Sequence, residues 1–440
     1  MFQVVVIGGR LAAGLLAMTL LLPAPAAAQR SGGGPFAGLF GRTPPRSGQE
    51  ITRVEVRSSI GGQQDAVIPA DAVGPNGVPA GAIAVASTEL GFDRRRDRLD
   101  LRAKAGATYQ QFFQEHGTGA PTYDGAAVMQ GRVGTRFTID ANARAVRSPF
   151  FQISLADALP IPFLQLSVPG NSDAATRLTN DAFDGEAGFT TRFARRSTFG
   201  ASVLRRDIRF PEQPGRNYAA WGSRADFRQR LTRYSSLRFS YTREQARQQL
   251  LSDGLYIHEM LDVGVDMDRD LSITRRTSLA FYTQTSILRA PGGPRRFRLN
   301  GGATLGHDFK RTWNAAVIVN RDTELHPGFV APLFSDGVTF SLGGMPTART
   351  EFTVNGSARR GHVGFDGANR VNSQSGVARL SAGITKKTGL YGQYTYYRYD
   401  LLPGATVVDI QPRLARQQLA IGVTLWLPIH TYVRTPRDPR

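Results

Sequence analysis

Hydrophobic and polar residues alternate one by one along most of this chain. From Thr277 to Ile287, Leu279, Phe281, Thr283, Thr285 and Ile287 fall on one face, with Ser278, Ala280, Tyr282, Gln284 and Ser286 on the other. Near the C-terminus, Leu419, Ile421, Val423, Leu425 and Leu427 make an unbroken apolar face against Gln418, Ala420, Gly422 and Thr424. A period of two marks a β-strand, because successive side chains leave a pleated strand on opposite sides. The pattern begins near Ile51 and keeps one rhythm: alternating run, short polar turn, alternating run, longer Gly/Pro-rich loop.

Short turns are expected at Asp93 to Asp97, Asp140 to Asn142, Ala194 to Ser197, Leu231 to Tyr234, Thr274 to Arg276, Lys310 to Arg311, Met345 to Ala348 and Lys386 to Thr388. Longer loops fall between them, as at Glu115 to Asp124, Pro211 to Arg216, Ala290 to Pro294, Leu325 to Pro332 and Leu401 to Pro412. Short turns at one end and long loops at the other are the asymmetry of an antiparallel transmembrane barrel. With an opening strand at Ile51 to Ile60 and a closing strand at Leu414 to Leu427, the chain is all-β, a closed antiparallel barrel of about 18 strands. If the opening hairpin up to Phe92 stands outside the barrel, the number is about 16. Both are even, which places both ends on the short-turn, periplasmic side. A β-propeller would show a blade motif repeating at about 40 to 50 residues, and none is present. Gly301-Gly302 and Gly343-Gly344 read as bulges or points of curvature in strands.

The ends of the sequence carry different signals. Leu11 to Leu22 is a short apolar core after Arg10, and Ala26-Ala27-Ala28 supplies small residues suited to signal peptidase. Residues 1–28 are therefore expected to be a cleaved secretory signal. Residues 29–50 are rich in Gly, Pro, Arg and Ser and bury too little apolar surface to fold, so a flexible periplasmic leader is expected. This leader is too short for a plug domain. The barrel is expected over 51–429 and a C-terminal tail over 430–440.

These features together resemble Gram-negative outer-membrane β-barrels of the porin-like type. The last strand holds Gly422-Val423-Thr424-Leu425-Trp426-Leu427, similar to the glycine and alternating apolar pattern by which such proteins are presented to the barrel assembly machinery. It departs from that pattern by running on through His430 to Arg440 rather than stopping at a terminal aromatic. The resemblance is one of architecture, and it implies outer-membrane localisation, outer-membrane lipid as surroundings and the assembly machinery as a partner.

Composition narrows the chemistry. There is no cysteine, which removes disulfides, thiolate metal sites and cysteine nucleophiles. The formal net charge is +19, but an exported barrel with dispersed basic residues gives no nucleic-acid reading. Of the 54 basic residues only Lys104, Lys310, Lys386 and Lys387 are lysine. Many arginines fall in the short turns, where they are simply solvated or lie against anionic headgroups. Others fall on strands, on the face opposite the apolar one: Arg132, Arg136, Arg224, Asp226, Arg228, Arg238, Glu244, Asp262, Asp266, Arg296, Arg298 and Asp308. An arginine facing lipid at mid-bilayer costs about 2–4 kcal/mol, so these are expected to line a wet lumen. There they either favour anions or brace the wall by pairing across strands.

A barrel of this size leaves an aqueous channel unless something fills it. Ser154 to Asp181, with Leu159, Ile161, Phe163 and Leu166, is the longest connection and the expected constriction loop. No Gly-x-Ser-x-Gly, His-Glu-x-x-His or phosphate loop is present. The six histidines are scattered, and His258, four residues before Asp262, reads as a wall residue. No catalytic, metal or cofactor site is expected. The leading expectation is a passive or export pore for anionic solutes or polymers. A plugged barrel serving as surface anchor or envelope-complex component is the alternative, and an outer-membrane enzyme ranks last.

Overall fold

The computed structural model describes residues 50–68, 81–113, 119–153, 174–232, 235–248, 255–270, 276–289, 295–309, 312–325, 329, 331–367, 369–401 and 413–434. The signal and leader, apart from Glu50, and the end of the tail lie outside the described residues. Eighteen strands follow one another. The first six are β1 (Glu50–Ile68), β2 (Gly81–Arg96), β3 (Leu99–Phe112), β4 (Gly119–Val133), β5 (Phe137–Ile153) and β6 (Ala174–Ala194). Next come β7 (Ser197–Arg209), β8 (Tyr218–Arg230), β9 (Ser235–Gln248), β10 (Leu255–Asp270), β11 (Thr277–Arg289) and β12 (Arg295–Phe309). The last six are β13 (Trp313–Glu324), β14 (Leu333–Thr347), β15 (Thr350–Val363), β16 (Asn369–Gly383), β17 (Thr388–Leu401) and β18 (Arg413–Arg434).

Each strand pairs antiparallel with its neighbours in sequence, and β18 pairs with β1 to close the ring. The opening hairpin is thus part of the wall. Closure leaves no sheet edge, which a hydrocarbon environment would not tolerate. A strand of about ten tilted residues crosses a bilayer core, and the shortest strand here, β13, has 12. β18 runs on to Arg434 opposite Glu50, so the expected tail from residue 430 begins as strand.

Alternation sets the two faces. Ile60, Val203, Trp221, Leu299, Val319 and Ile421 are large apolar side chains left exposed on one face, an arrangement that only lipid makes favourable. Near the short-turn end this outer face carries a run of rings across adjacent strands. Phe137 stacks on Phe189 at 5.4 Å between centroids, Phe189 lies 6.1 Å from Phe199, and Phe227 lies 6.0 Å from Phe193 and 6.3 Å from Phe239. Such an aromatic girdle belongs at the membrane–water boundary. Beyond it the turns present Arg98, Arg136, Arg195, Arg196, Arg349, Lys386 and Lys387.

One expected turn is displaced. Asp140 to Asn142 lies inside β5, and the chain reverses at Gly134 to Arg136. Gly134 has a φ of 67°, a left-handed conformation that glycine adopts without steric cost. Arg136 therefore sits in a turn and not on the wall, a correction to the sequence expectation. The glycine pairs also behave differently from expectation. Gly301 and Gly302 keep an unbroken ladder, and a Cβ on Gly302 would meet the Tyr282 ring at 2.8 Å, so the missing side chain makes room for a tyrosine. The register does shift just after Gly344.

The outer face can be tested by one substitution. Val423→Arg places a cation in lipid near the middle of the closing strand and should cost about 2–4 kcal/mol. Thr424→Arg, on the opposite face of the same strand, should leave stability near the parent value. Urea midpoints of vesicle-inserted protein, read by heat-modifiable gel migration, distinguish the two; equal midpoints would contradict the assigned faces.

Candidate functional site

The inner face of β8 carries Arg224, Asp226 and Arg228, opposite Thr242, Ser240 and Arg238 of β9. Asp226 lies against Gly200 of β7, where a Cβ would come within 2.7 Å of its Oδ1. Arg238 reaches the next strand: its Nε stands 2.7 Å from Asp262 Oδ2, and its guanidinium lies 5.6 Å from the centre of the Tyr282 ring. Ser240 Oγ donates a further bond of 3.3 Å to Asp262. Glu244 faces buried His258 across the same ladder, 3.9 Å from Nδ1. Asp266 stands opposite Ser236 in that ladder; its side chain lies outside the described residues. His258 and Asp262 share β10 but take different partners, so they form no common centre.

On β12, Arg296 and Asp308 are exposed on the inner face, and Asp308 pairs opposite Asn314 of β13. Arg298 behaves otherwise. It reaches over to β14, donating to the Ser335 carbonyl and to Asp336 Oδ1 at 3.3 Å each, with its guanidinium 5.4 Å from the centre of the Phe334 ring. Arg132 stands near the turn end of β4, opposite Thr138. The expected residues thus form no single cluster. They spread around the wall, with Arg238–Asp262 the tightest of their pairs.

Several inner-face partnerships lie outside the sequence expectation. Arg416 of β18 pairs with Asp65 of β1, whose side chain is 0% exposed, and Gln63 Nε2 donates to the same carboxylate at 3.0 Å. Glu55 accepts from Arg57 at 2.8 Å and from Trp426 Nε1 at 3.1 Å. Arg206 pairs with Asp184 at 2.9 Å, Lys104 with Glu89 at 3.4 Å. Arg379 lies 4.6 Å above the Tyr391 ring beside a recess lined by Gly61, Gln63 and Gln393. The Tyr391 hydroxyl fills the space over Gly61 and Gly422, where a Cβ would come within 2.8 and 2.7 Å of it.

At the long-loop end the described residues gather into an apolar cluster. The segment with Leu159, Ile161, Phe163 and Leu166 lies outside the described residues, and the last part of the expected loop, from Ala174, is already β6. Among the described residues, the connection between β13 and β14 contributes to this cluster. Leu325, Phe329 and Pro332 are buried, Phe329 to 2% exposure. Leu325 and Phe329 join an apolar cluster with Phe210 and Tyr218 from one side of the ring and Val363, Tyr397 and Leu401 from another. The Tyr218 hydroxyl donates to the Leu325 carbonyl at 3.2 Å. Since β8 and β13 are five strands apart in the ring, that bond spans the interior. An apolar knot of this kind excludes water without needing charge. Its signal in the sequence is faint: Leu325, Phe329 and Val330 are spaced among His326, Pro327 and Gly328.

A closed 18-stranded barrel with a lipid-suited outer face and a polar inner face is the architecture of a porin-like outer-membrane protein. No protein-family model and no curated protein sequence matches the chain. Among solved structures, OccK11 (OpdR) of Pseudomonas aeruginosa is similar with a TM-score of 0.45 and 10% identity, over 86% of this chain and 96% of its own. OccAB3 of Acinetobacter baumannii gives 0.44 and 10% over 87% and 100%, and OpdL of Pseudomonas aeruginosa 0.42 and 12% over 87% and 100%.

Proposed function

We propose that the protein is a channel of the Gram-negative outer membrane for small anionic solutes, exported by residues 1–28 and held with both ends in the periplasm. The single observation behind the anion preference is which inner-face charges meet water. Arg102, Arg132, Arg144, Arg224, Arg228, Arg230 and Arg296 are exposed, against only Asp184 and Asp308 among the described inner-face acidic residues, whereas Glu89, Asp124, Asp140, Glu186 and Asp226 are half-buried. Pairing, as between Arg102 and Asp100, neutralises part of the wall, and the surplus of exposed guanidiniums over exposed carboxylates favours anions. On β8 three of those arginines share one face, at Arg224, Arg228 and Arg230, and form a cationic track along the wall. Outer-membrane lipid surrounds the barrel, and the assembly machinery inserts it.

Planar-bilayer recording under a KCl gradient tests this reading. The expected reversal potential has the sign of chloride selectivity, and Arg224→Gln/Arg228→Gln/Arg230→Gln moves it towards zero or past it. Cation selectivity in the parent protein would overturn the proposal. The second reading, a plugged barrel acting as surface anchor, is favoured by the apolar knot at Leu325 and Phe329. Absence of conductance both in the parent and after shortening of that loop would decide for it.

A further inference from the structure

We propose that the outer part of the β12–β13 junction is a lateral gate, through which an anionic amphiphile moves between the barrel interior and the surrounding bilayer. This goes beyond the axial route of the channel reading and rests on that reading only for an open interior.

The backbone ladder between β12 and β13 ends at Gly301 opposite Arg321. Both strands run on. Arg295 to Asn300 pair only with β11, and Asp322 to Glu324 pair only with β14. Unpaired backbone groups at the edge of a bilayer are costly, so wall strands that separate need a reason. Among the described ladders, β10 and β11 part between Leu261–Thr285 and Met267–Phe281 but rejoin, so only an internal interruption results. β4 and β5 separate while both continue, beyond Tyr123 opposite Arg147. Pro121 and Pro149 lie there, and proline has no N–H to offer a ladder. No proline occurs in 295–300 or 322–324. The gap at β12–β13 is therefore not forced by a missing donor.

Side chains bridge the gap where backbone does not. Thr323 Oγ1 donates to Asn300 Oδ1 at 3.1 Å, and Asn300 Nδ2 donates to Ser286 Oγ at 2.6 Å. Arg298 crosses from β12 to the Ser335 carbonyl and Asp336 on β14. Arg321 of β13 grips the same carboxylate, Nε to Oδ1 at 2.6 Å. Asp336 thus ties both flanks of the gap together. Such a latch opens by side-chain rotation, which is fast and local, whereas an unbroken ladder would have to unzip.

Apolar surface waits on either side of the latch. Inside, Leu288, Leu325 and Leu333 are buried in the cluster at the barrel mouth. Outside, Phe297 and Leu299 are 69% and 65% exposed on the flank of β12. An apolar tail can pass from the first surface to the second, while an anionic head takes the place of Asp336 between the two guanidiniums. Small polar ions gain nothing from this route.

The absence of native cysteine permits a direct test. Asn300→Cys/Thr323→Cys puts two thiols where the side chains already meet, so oxidation locks the gap and reduction frees it in one protein. The probe is 1-anilinonaphthalene-8-sulfonate, a permanent anion with an apolar body, whose fluorescence reports passage through the outer membrane of intact cells. Single-channel conductance of the same protein is measured in parallel. The reduced variant and Asp336→Asn should each admit the probe about tenfold faster than the oxidised variant, the scale of two or three lost hydrogen bonds. Conductance should be the same in all three. Probe entry indifferent to oxidation would overturn the gate, as would conductance that falls together with it, since one axial route would then carry both. Absence of conductance throughout would instead count against the channel reading.

Discussion

Arg416→Ala should cost about 3–5 kcal/mol of stability, because it strands a buried carboxylate. Asp65 has no exposed side-chain surface, and Arg416 supplies its charge partner across the closing junction of the barrel. Gln63 remains as a donor at 3.0 Å, but one neutral amide does not replace a guanidinium. The urea midpoint of folded, vesicle-inserted protein should fall sharply. Replacing the pair together, Arg416→Met with Asp65→Leu, should recover most of the loss, because two apolar side chains of similar volume leave no uncompensated charge. An unchanged midpoint in Arg416→Ala would mean that the pair contributes nothing to closure.

Phe329→Ala, or replacement of residues 326–331 by a short glycine turn, should raise single-channel conductance about twofold or more by removing an apolar constriction that excludes water. Phe329 is held in the cluster that reaches from β8 to β17, so its ring fills space rather than contacting solvent. Tyr218→Phe removes a hydroxyl that ties β8 to the loop, at 3.2 Å from the Leu325 carbonyl. It should increase the frequency of brief open events without changing the size of each. Planar-bilayer recordings separate amplitude from frequency. Unchanged amplitude in Phe329→Ala would place the narrowest point elsewhere in the barrel.

Strand alternation made most of this architecture readable from the amino-acid sequence. Leu279 to Ile287 and Leu419 to Leu427 take the faces that their spacing demands, because a half-buried strand allows no one-residue slip. Turn position was less legible. Val128 to Ile139 alternates well enough to pass for one wall strand around Arg132 and Arg136, and only the conformation of Gly134 reveals a reversal. The inner face was readable as a stripe but not as partnerships. Arg238 with Asp262 could be suspected from neighbouring strands. Asp65 with Arg416 could not, since 351 residues separate them and only closure of the ring makes them neighbours. The inward loop was missed for a related reason: the apolar residues around Phe329 find their partners on distant strands, so nothing near them in sequence announces burial.

The first and last strands meet along the whole of β1, all 19 residues from Glu50 opposite Arg434 to Ile68 opposite Ala415. The final join is therefore also a long one, and it is available only when the entire chain has been made. A prematurely ended product lacks it and keeps two raw edges, an open template for aggregation and proteolysis. A complete chain, once shut, has to surrender that whole ladder before it can reopen, so its persistence in the membrane is governed by a rate rather than by an equilibrium.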